Sequence, residues 1–212
     1  MPKSGFRQRL DRMAYSSPML ARVLGMGGRK RRRTELSQSG WDKEHIEGGW
    51  DRLADLDELA HHAVVAGYAS RLARGGHFLD IGCGAGVTEQ LLRPWYAGYH
   101  GVDFSDNAIE KARIGAPESA TFSAGDARTF VPARQYDLII MCEVLEYFPD
   151  IEEQMRRYAA YLAPGGAFIL SMWASRRSHP SWAAVERVLK VRDTTLMWNG
   201  RGVGWAVKAL TP

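Results

Sequence analysis

Between residues 77 and 190 short apolar runs alternate with stretches that carry helical spacing or end in turn residues. His77–Ile81, Tyr99–Phe104, Ala120–Ala124, Tyr136–Cys142 and Ala167–Trp173 read as strands. Helices are expected at Gly86–Leu92, Asp106–Arg113, Ile151–Leu162 and Trp182–Lys190. Strand–helix alternation of this kind builds a mostly parallel α/β sheet, because parallel neighbours need a crossover and the crossover is usually a helix. The fourth strand, YDLIIMC, is apolar enough to be buried on both faces. Ahead of the alternation, Leu53, Leu56, Leu59, Ala60, Ala63, Val64, Gly67 and Tyr68 recur at helical spacing over Asp51–Ala73, and Gly75-Gly76 stop the helix. The tail reads strand, Asn199-Gly200, strand, so the sheet is expected to finish in an antiparallel hairpin.

Chemistry concentrates at the carboxyl ends of the expected strands, where open α/β sheets bind ligands. The first motif is Phe78-Leu79-Asp80-Ile81-Gly82-Cys83-Gly84-Ala85-Gly86, a strand feeding a glycine turn that opens a helix. A dinucleotide site needs G-x-G-x-x-G; here the third glycine comes one residue early. Asp80 stands two residues before the first glycine, where an anion repels a pyrophosphate and suits a ligand bearing an ammonium group, as S-adenosylmethionine does. The second motif is Gly101-Val102-Asp103-Phe104, with Asp103 23 residues after Asp80, placed to accept from both hydroxyls of a ribose. Gly125-Asp126-Ala127 ends the third strand, where an acid and a neighbouring N–H fit an adenine edge. Cys142-Glu143-Val144-Leu145-Glu146-Tyr147 leaves the fourth strand, and Leu162-Ala163-Pro164-Gly165-Gly166 reads as a turn before the fifth.

With these motifs in order, residues 50–212 resemble class I S-adenosylmethionine-dependent methyltransferases. The resemblance implies a Rossmann-like doubly wound sheet, S-adenosyl-L-methionine as cofactor and S-adenosyl-L-homocysteine as product. It also assigns Asp80, Gly82 and Gly84 to the methionine end, Asp103 to the ribose, and Asp126 and Ala127 to the adenine. Cys83, Phe104 and Cys142, inside the same motifs, are counted with the cofactor contacts; Cys142 is read as a small packing residue rather than a nucleophile. The Glu-Val-Leu-x-Tyr stretch, the Leu-Ala-Pro-Gly-Gly turn and the short tail are similar to small bacterial enzymes that N-methylate chitooligosaccharide precursors of nodulation signals, and to short methyltransferases of polysaccharide loci. Where many class I enzymes carry His after the Val-Leu-x stretch, this chain has Tyr147.

Methyl transfer from a sulfonium asks mainly for proximity and alignment, with a base for a hydroxyl acceptor and a neutral nitrogen for an amine. Glu143, Tyr147 and His179 are the expected acceptor-side residues, because they follow strands four and five. Glu143 also reads as a helix-start acid, and His179 as a loop histidine before Pro180. His61 and His62 are adjacent on the leading helix, so at most one is expected to point at the site. Trp41, Trp50, Trp173 and Trp182 are candidates for an apolar or sugar-stacking wall, with helix packing the favoured reading for Trp173. The lid is expected from residues 34–60 and 174–182.

Charge separates two regions. Residues 1–33 hold ten Lys and Arg against the single acid Asp11, so the remainder is acidic although the whole chain carries +4. Residues 1–40 are therefore read as a basic extension and linker, and 41–212 as the cofactor-binding domain. The extension suits an anionic membrane surface or a nucleic acid. Nucleic acid ranks second, because the chain lacks the Asn/Asp-Pro-Pro-Tyr of base N-methyltransferases and its body is acidic. A small-molecule or saccharide acceptor ranks first. With no apolar run near the roughly 20 residues that span a bilayer, no secretory h-region and two cysteines outside any disulfide pattern, a cytoplasmic protein is expected, with peripheral contact at the inner membrane surface. No metal is expected.

Overall fold

The structure is a computed structural model, and it describes residues 37–47 and 51–212. In chain order the elements are α1 (Gln38–Ile46), α2 (Leu56–Leu72), β1 (Gly76–Ile81), α3 (Val87–Leu92), β2 (Tyr96–Asp103), α4 (Asp106–Arg113), β3 (Ala120–Ala124), β4 (Tyr136–Cys142), α5 (Ile151–Ala159), β5 (Leu162–Trp173), α6 (His179–Glu186), β6 (Lys190–Trp198) and β7 (Gly204–Thr211). The basic arm 1–33 and Trp50 lie outside the described residues. The seven strands form one sheet in the order β3-β2-β1-β4-β5-β7-β6, parallel from β3 to β5 and antiparallel through β7 and β6. This is the doubly wound sheet with a terminal hairpin that the alternation implies.

Burial explains the architecture. β1 and β4 are paired on both sides, and Leu138 to Met141 expose nothing. Alternate side chains feed two separate cores. One face packs Leu79, Ile139, Met141, Phe168 and Leu170 against α5 and α6 through Met155, Tyr158, Trp182 and Val185. The other packs Phe78, Leu138, Ile140 and Ile169 against α2, α3 and α4 through Val65, Ala69, Leu92 and Ile109. The order reverses between β1 and β4, which opens a crevice at their carboxyl ends.

Several boundaries differ from the sequence expectation, each for a local reason. The leading helix is broken: Asp51–Ala54 is a 3₁₀ turn, and α2 begins only after Asp55, whose extended backbone (ψ 154°) forms the N-cap. β5 starts at Leu162, so the Leu-Ala-Pro-Gly-Gly stretch is a bulge within the strand; pairing jumps from Leu162 to Ala167 while β4 advances two residues. Gly165 absorbs that bulge at φ 80°. The hairpin does not turn tightly on Asn199-Gly200. Asn199 N–H donates to the Val203 carbonyl, its Oδ1 accepts from Arg201 and Val203, and the left-handed position is Gly202.

Phe78 is fully buried on β1 with its ring 5.9 Å from Tyr96. Phe78→Ala should cost about 3–5 kcal/mol of stability, the range for emptying a large buried aromatic site. Urea unfolding monitored by circular dichroism checks this, and a loss under about 1 kcal/mol would show that the α2/α3 face collapses around the cavity.

Candidate active site

The turn after β1 is shaped by backbone geometry before any side chain acts. Gly82, Gly84 and Gly86 stand at φ 76°, 53° and 78°, a region other residues enter only at a cost. A Cβ on Gly82 would lie 2.1 Å from Val144 Cγ2, whereas a Cβ on Gly84 would meet nothing within 4 Å. The loop is thus packed underneath and open above. Gly82 and Cys83 donate their N–H groups to the Val102 carbonyl, tying the loop to β2. The Cys83 thiol is buried and stands close under Gly101, and burial pushes its pKa up, so its side chain packs inward.

Asp103 closes the turn from the side. Its Oδ2 accepts from Gly84 N–H at 2.9 Å and its Oδ1 from Ser105 N–H at 2.9 Å. An ionised carboxylate offers about four lone-pair sites, the chemistry that receives a diol. Ser105 caps α4 by accepting from Ala108 N–H, and its hydroxyl donates to Asp42 Oδ1 at 2.5 Å. Gln38 Nε2 also donates to Asp106, so α1 lies against this corner of the sheet, in the segment expected to supply a lid. Nothing in the sequence marks Asp42 for that contact. Phe104 follows, half-buried.

Asp80 points into the core rather than outward. It is 2% exposed and accepts from Tyr99 O–H at 2.7 Å. Burial raises its pKa to about 7, and the charge of Asp103 adds to the rise. At the end of β3, Arg128 grips both carboxylate oxygens of Asp126 and holds its pKa below the usual range. The Ala127 carbonyl accepts from Tyr158 O–H at 2.7 Å and from Arg157 at 2.5 Å, so α5 pins this loop.

Glu143 is where the strand-four motif departs from expectation. No helix starts on it; a 3₁₀ turn, Leu145–Tyr147, begins two residues later. It is the single non-glycine with positive φ among the described residues, at 59°. Such strain costs about 1–3 kcal/mol and persists only where the surroundings enforce it. Here the turn swings the side chain across to β5. Oε1 accepts from Ser171 O–H at 3.1 Å and Oε2 from Trp173 N–H at 2.9 Å. The residue keeps some exposure, but its carboxyl end is enclosed, and burial raises its pKa to about 8 with further push from Glu146 and Glu58.

Above it lies the first half of α2. His61 and His62 are both buried, at 1% and 5% exposure. His61 stacks on Trp205 at 5.0 Å, and His62 Nδ1 shares a 2.9 Å hydrogen bond with the Thr88 hydroxyl on α3. Burial lowers their pKa values to about 3 and about 4, so both are neutral. Glu58, 5% exposed, has Oε2 3.8 Å from His61 Nδ1. Trp205 pairs across the sheet with Trp173, which is 47% exposed and so not the packing residue expected. Trp182 is buried in the opposite core. Tyr147 ends the 3₁₀ turn beyond Glu143, and Cys142 lies on the α2 face with its thiol pKa raised by burial. His179 is not in a loop: it opens α6 ahead of Pro180, whose missing N–H suits a first helical turn. Among the described residues no three His, Cys, Asp or Glu are grouped to hold a metal ion. No helix among them is long and apolar enough to cross a membrane.

The residues fit an elongated cationic nucleoside: an open glycine turn, a diol-accepting carboxylate beside it, and acids rather than bases around the crevice. Sheet order and glycine turn are those that the resemblance to class I S-adenosylmethionine-dependent methyltransferases implies. Residues 53–209 match the methyltransferase domain family, and the chain belongs to that family. It is 28% identical over 165 residues to a ubiquinone biosynthesis O-methyltransferase of Bradyrhizobium diazoefficiens, covering 76% of this chain and 63% of that protein. It is 34% identical over 131 residues to a trans-aconitate 2-methyltransferase of Streptomyces avermitilis, covering 55% and 48%. The chain spans less than two thirds of the length of the curated relatives it matches. Among solved structures, the N-methyltransferase NodS of Bradyrhizobium japonicum bound to S-adenosylhomocysteine superposes with a TM-score of 0.65 at 22% identity, covering 77% of this chain and 91% of that one.

The raised Glu143 pKa has a sign that can be measured. A carboxyl that titrates at about 8 in the fold and near its ordinary value of 4.5 unfolded favours the folded state most below pH 4.5. That contribution falls away as pH rises to about 8. The stability of the wild type relative to Glu143→Gln should therefore decline between pH 5 and 8 and level off above, while the decline due to Asp80 is common to both proteins and cancels in the difference. Chemical denaturation at half-unit pH intervals checks this; a difference independent of pH would show that Glu143 titrates normally.

Proposed function

We propose that the chain transfers the methyl group of S-adenosylmethionine to an oxygen or nitrogen atom of a small molecule, with saccharides and precursors of polysaccharides or glycolipids as the favoured acceptors. The observation that carries the reading is the Asp103 carboxylate, fixed by Gly84 N–H and Ser105 N–H at the mouth of the open glycine turn. Relatives named for ubiquinone biosynthesis and for trans-aconitate support a small acceptor. The likeness of the strand-four stretch and the tail to nodulation-signal enzymes supports a saccharide.

In this reading Gly82, Cys83 and Gly84 carry the methionine end, with Asp80 supporting the loop from below through Tyr99. Asp103 receives the ribose hydroxyls, Phe104 flanks them, and Asp126 with Ala127 receives the adenine once Arg128 yields its grip. Bound there, the cofactor supplies a methyl carbon already activated by its sulfonium. Cys142 and Glu143 stand at the end of β4 beside that carbon, and Glu143, Tyr147 and His179 orient the acceptor. Glu143 is held by Ser171 and Trp173, which fixes the direction of its carboxyl group. Residues 1–33 supply charge for contact with an anionic surface at the inner membrane of a cytoplasmic enzyme.

Titration calorimetry tests the reading. S-adenosylhomocysteine should bind the wild type, and Asp103→Ala should weaken it at least about tenfold, the loss of one charge-assisted contact to a ligand. No binding to the wild type, or binding of a nicotinamide dinucleotide instead, would refute it. Incorporation of tritiated methyl into purified RNA, lost on deletion of residues 1–33, would move the acceptor to nucleic acid.

A further inference from the structure

The carboxylate that would receive the ribose is held from two sides, and one of those sides leads to α1. Asp103 Oδ2 accepts from Gly84 N–H and Oδ1 from Ser105 N–H, both at 2.9 Å. Ser105 is fully buried, and its hydroxyl is used twice. The oxygen accepts from Ala108 N–H at 3.2 Å, and the proton goes to Asp42 Oδ1 at 2.5 Å. The same Oδ1 also accepts from Asn107 N–H at 3.4 Å. A buried hydroxyl without an acceptor is costly, so Asp42 both satisfies Ser105 and fixes the direction of its side chain. Gln38 and Asp42 are four residues apart and share one face of α1. Gln38 Nε2 donates to Asp106 Oδ2 at 2.9 Å, which brings that face onto the first turn of α4. α1 is held by its own cap, where Ser37 accepts from Gly40 N–H at 3.3 Å. The hydrogen-bonded path from α1 to the turn after β1 is therefore continuous, running from Asp42 through Ser105 and Asp103 to Gly84.

We propose that Asp42 is a positioning residue for cofactor recognition: by accepting the Ser105 hydroxyl proton it keeps Ser105 N–H on Asp103, and so aims that carboxylate at the two hydroxyls of the ribose. The inference rests on the methyltransferase reading above and deepens it at the sugar. Receiving a diol demands direction, because both carboxylate oxygens must meet two hydroxyls at once. A support behind the contacting group supplies that direction. Asp42 acts through Ser105 rather than on the ribose. Without Asp42, Ser105 keeps its cap on Ala108 but loses the anchor that holds its N–H in line with Asp103. A 2′-deoxy sugar, with one hydroxyl to offer, gains less from the aim. Linkage makes the effect reciprocal, so a ribose held by Asp103 strengthens the seat of α1 on α4 by the same factor.

The test titrates S-adenosylhomocysteine and its 2′-deoxy analogue into the full chain. The wild type should bind the ribose form at least about tenfold more tightly. Asp42→Ala should cut that preference to about threefold or less, while the 2′-deoxy analogue keeps nearly its wild-type affinity. Ser105→Ala should reproduce the loss, and adding Asp42→Ala to it should change nothing further. Asp42→Asn keeps an acceptor oxygen for Ser105 and should retain the preference. Gln38→Ala removes the contact of α1 with Asp106 without touching Ser105, and should retain it too. Thermal unfolding of each variant is the fold control. A wild type that binds neither ligand refutes the methyltransferase reading and this inference with it. Binding without a ribose preference, a preference that survives Asp42→Ala, or equal weakening of both ligands overturns this inference alone. So does loss of the preference in Asp42→Asn or in Gln38→Ala, since charge or the general docking of α1 would then carry the effect.

Discussion

Everything at the functional end of the molecule depends on β1 being hydrogen-bonded in parallel on both sides, to β2 and to β4. Double pairing fixes where β1 ends, and the chain must then leave the sheet through a turn that β2 and β4 already hem in. Val102 takes the first two N–H groups of that turn, Asp103 takes that of Gly84, and Val144 fills the space under Gly82. The glycines are required because the turn is squeezed from both neighbours. Asp103 is in turn held by the turn it closes, so binding surface and sheet edge form one rigid unit.

Charge is distributed in the same logic. Acids that titrate near neutrality, Asp80 at about 7 and Glu143 at about 8, sit at the carboxyl ends of β1 and β4, both on the α2 face. Asp126, outside that enclosure, is paired with Arg128 and stays fully ionised. The two enclosed carboxyls therefore gain or lose a proton near neutral pH, while the charge at the end of β3 is neutralised by the protein itself. Enclosure amplifies the effect, since a charge removed from water interacts more strongly with what remains nearby.

The departures from simple strand alternation fall at the rim of this crevice or at the opposite edge of the sheet. Glu143 leaves β4 through a left-handed residue, β5 carries its bulge at the far end, and the last hairpin closes through a loop in which Asn199 bonds its own backbone. That loop also reaches α2, where Asn199 Nδ2 donates to the Asp57 carbonyl and Arg201 pairs with Asp57. The start of α2 is thereby anchored over the ends of β5 and β7, which is what sets His61 on Trp205 and Glu58 near Glu143.

The amino-acid sequence alone determined the strand order class, the two-faced core and the cofactor motifs, because these rest on local signals: apolar periodicity, glycines at fixed spacing, and acids two residues before a turn or at a strand end. Tertiary structure alone decided which way those acids face. Asp80 turns to Tyr99, 19 residues on in another strand, and Glu143 turns to Ser171 and Trp173, about 30 residues away on β5. The same holds for His61 and His62, which are adjacent on α2 and therefore point different ways. Burial of both follows only because β7 supplies Trp205 beneath one and α3 supplies Thr88 beside the other. Side-chain direction at a strand end is set by partners that arrive from elsewhere in the chain, and no local pattern carries that information.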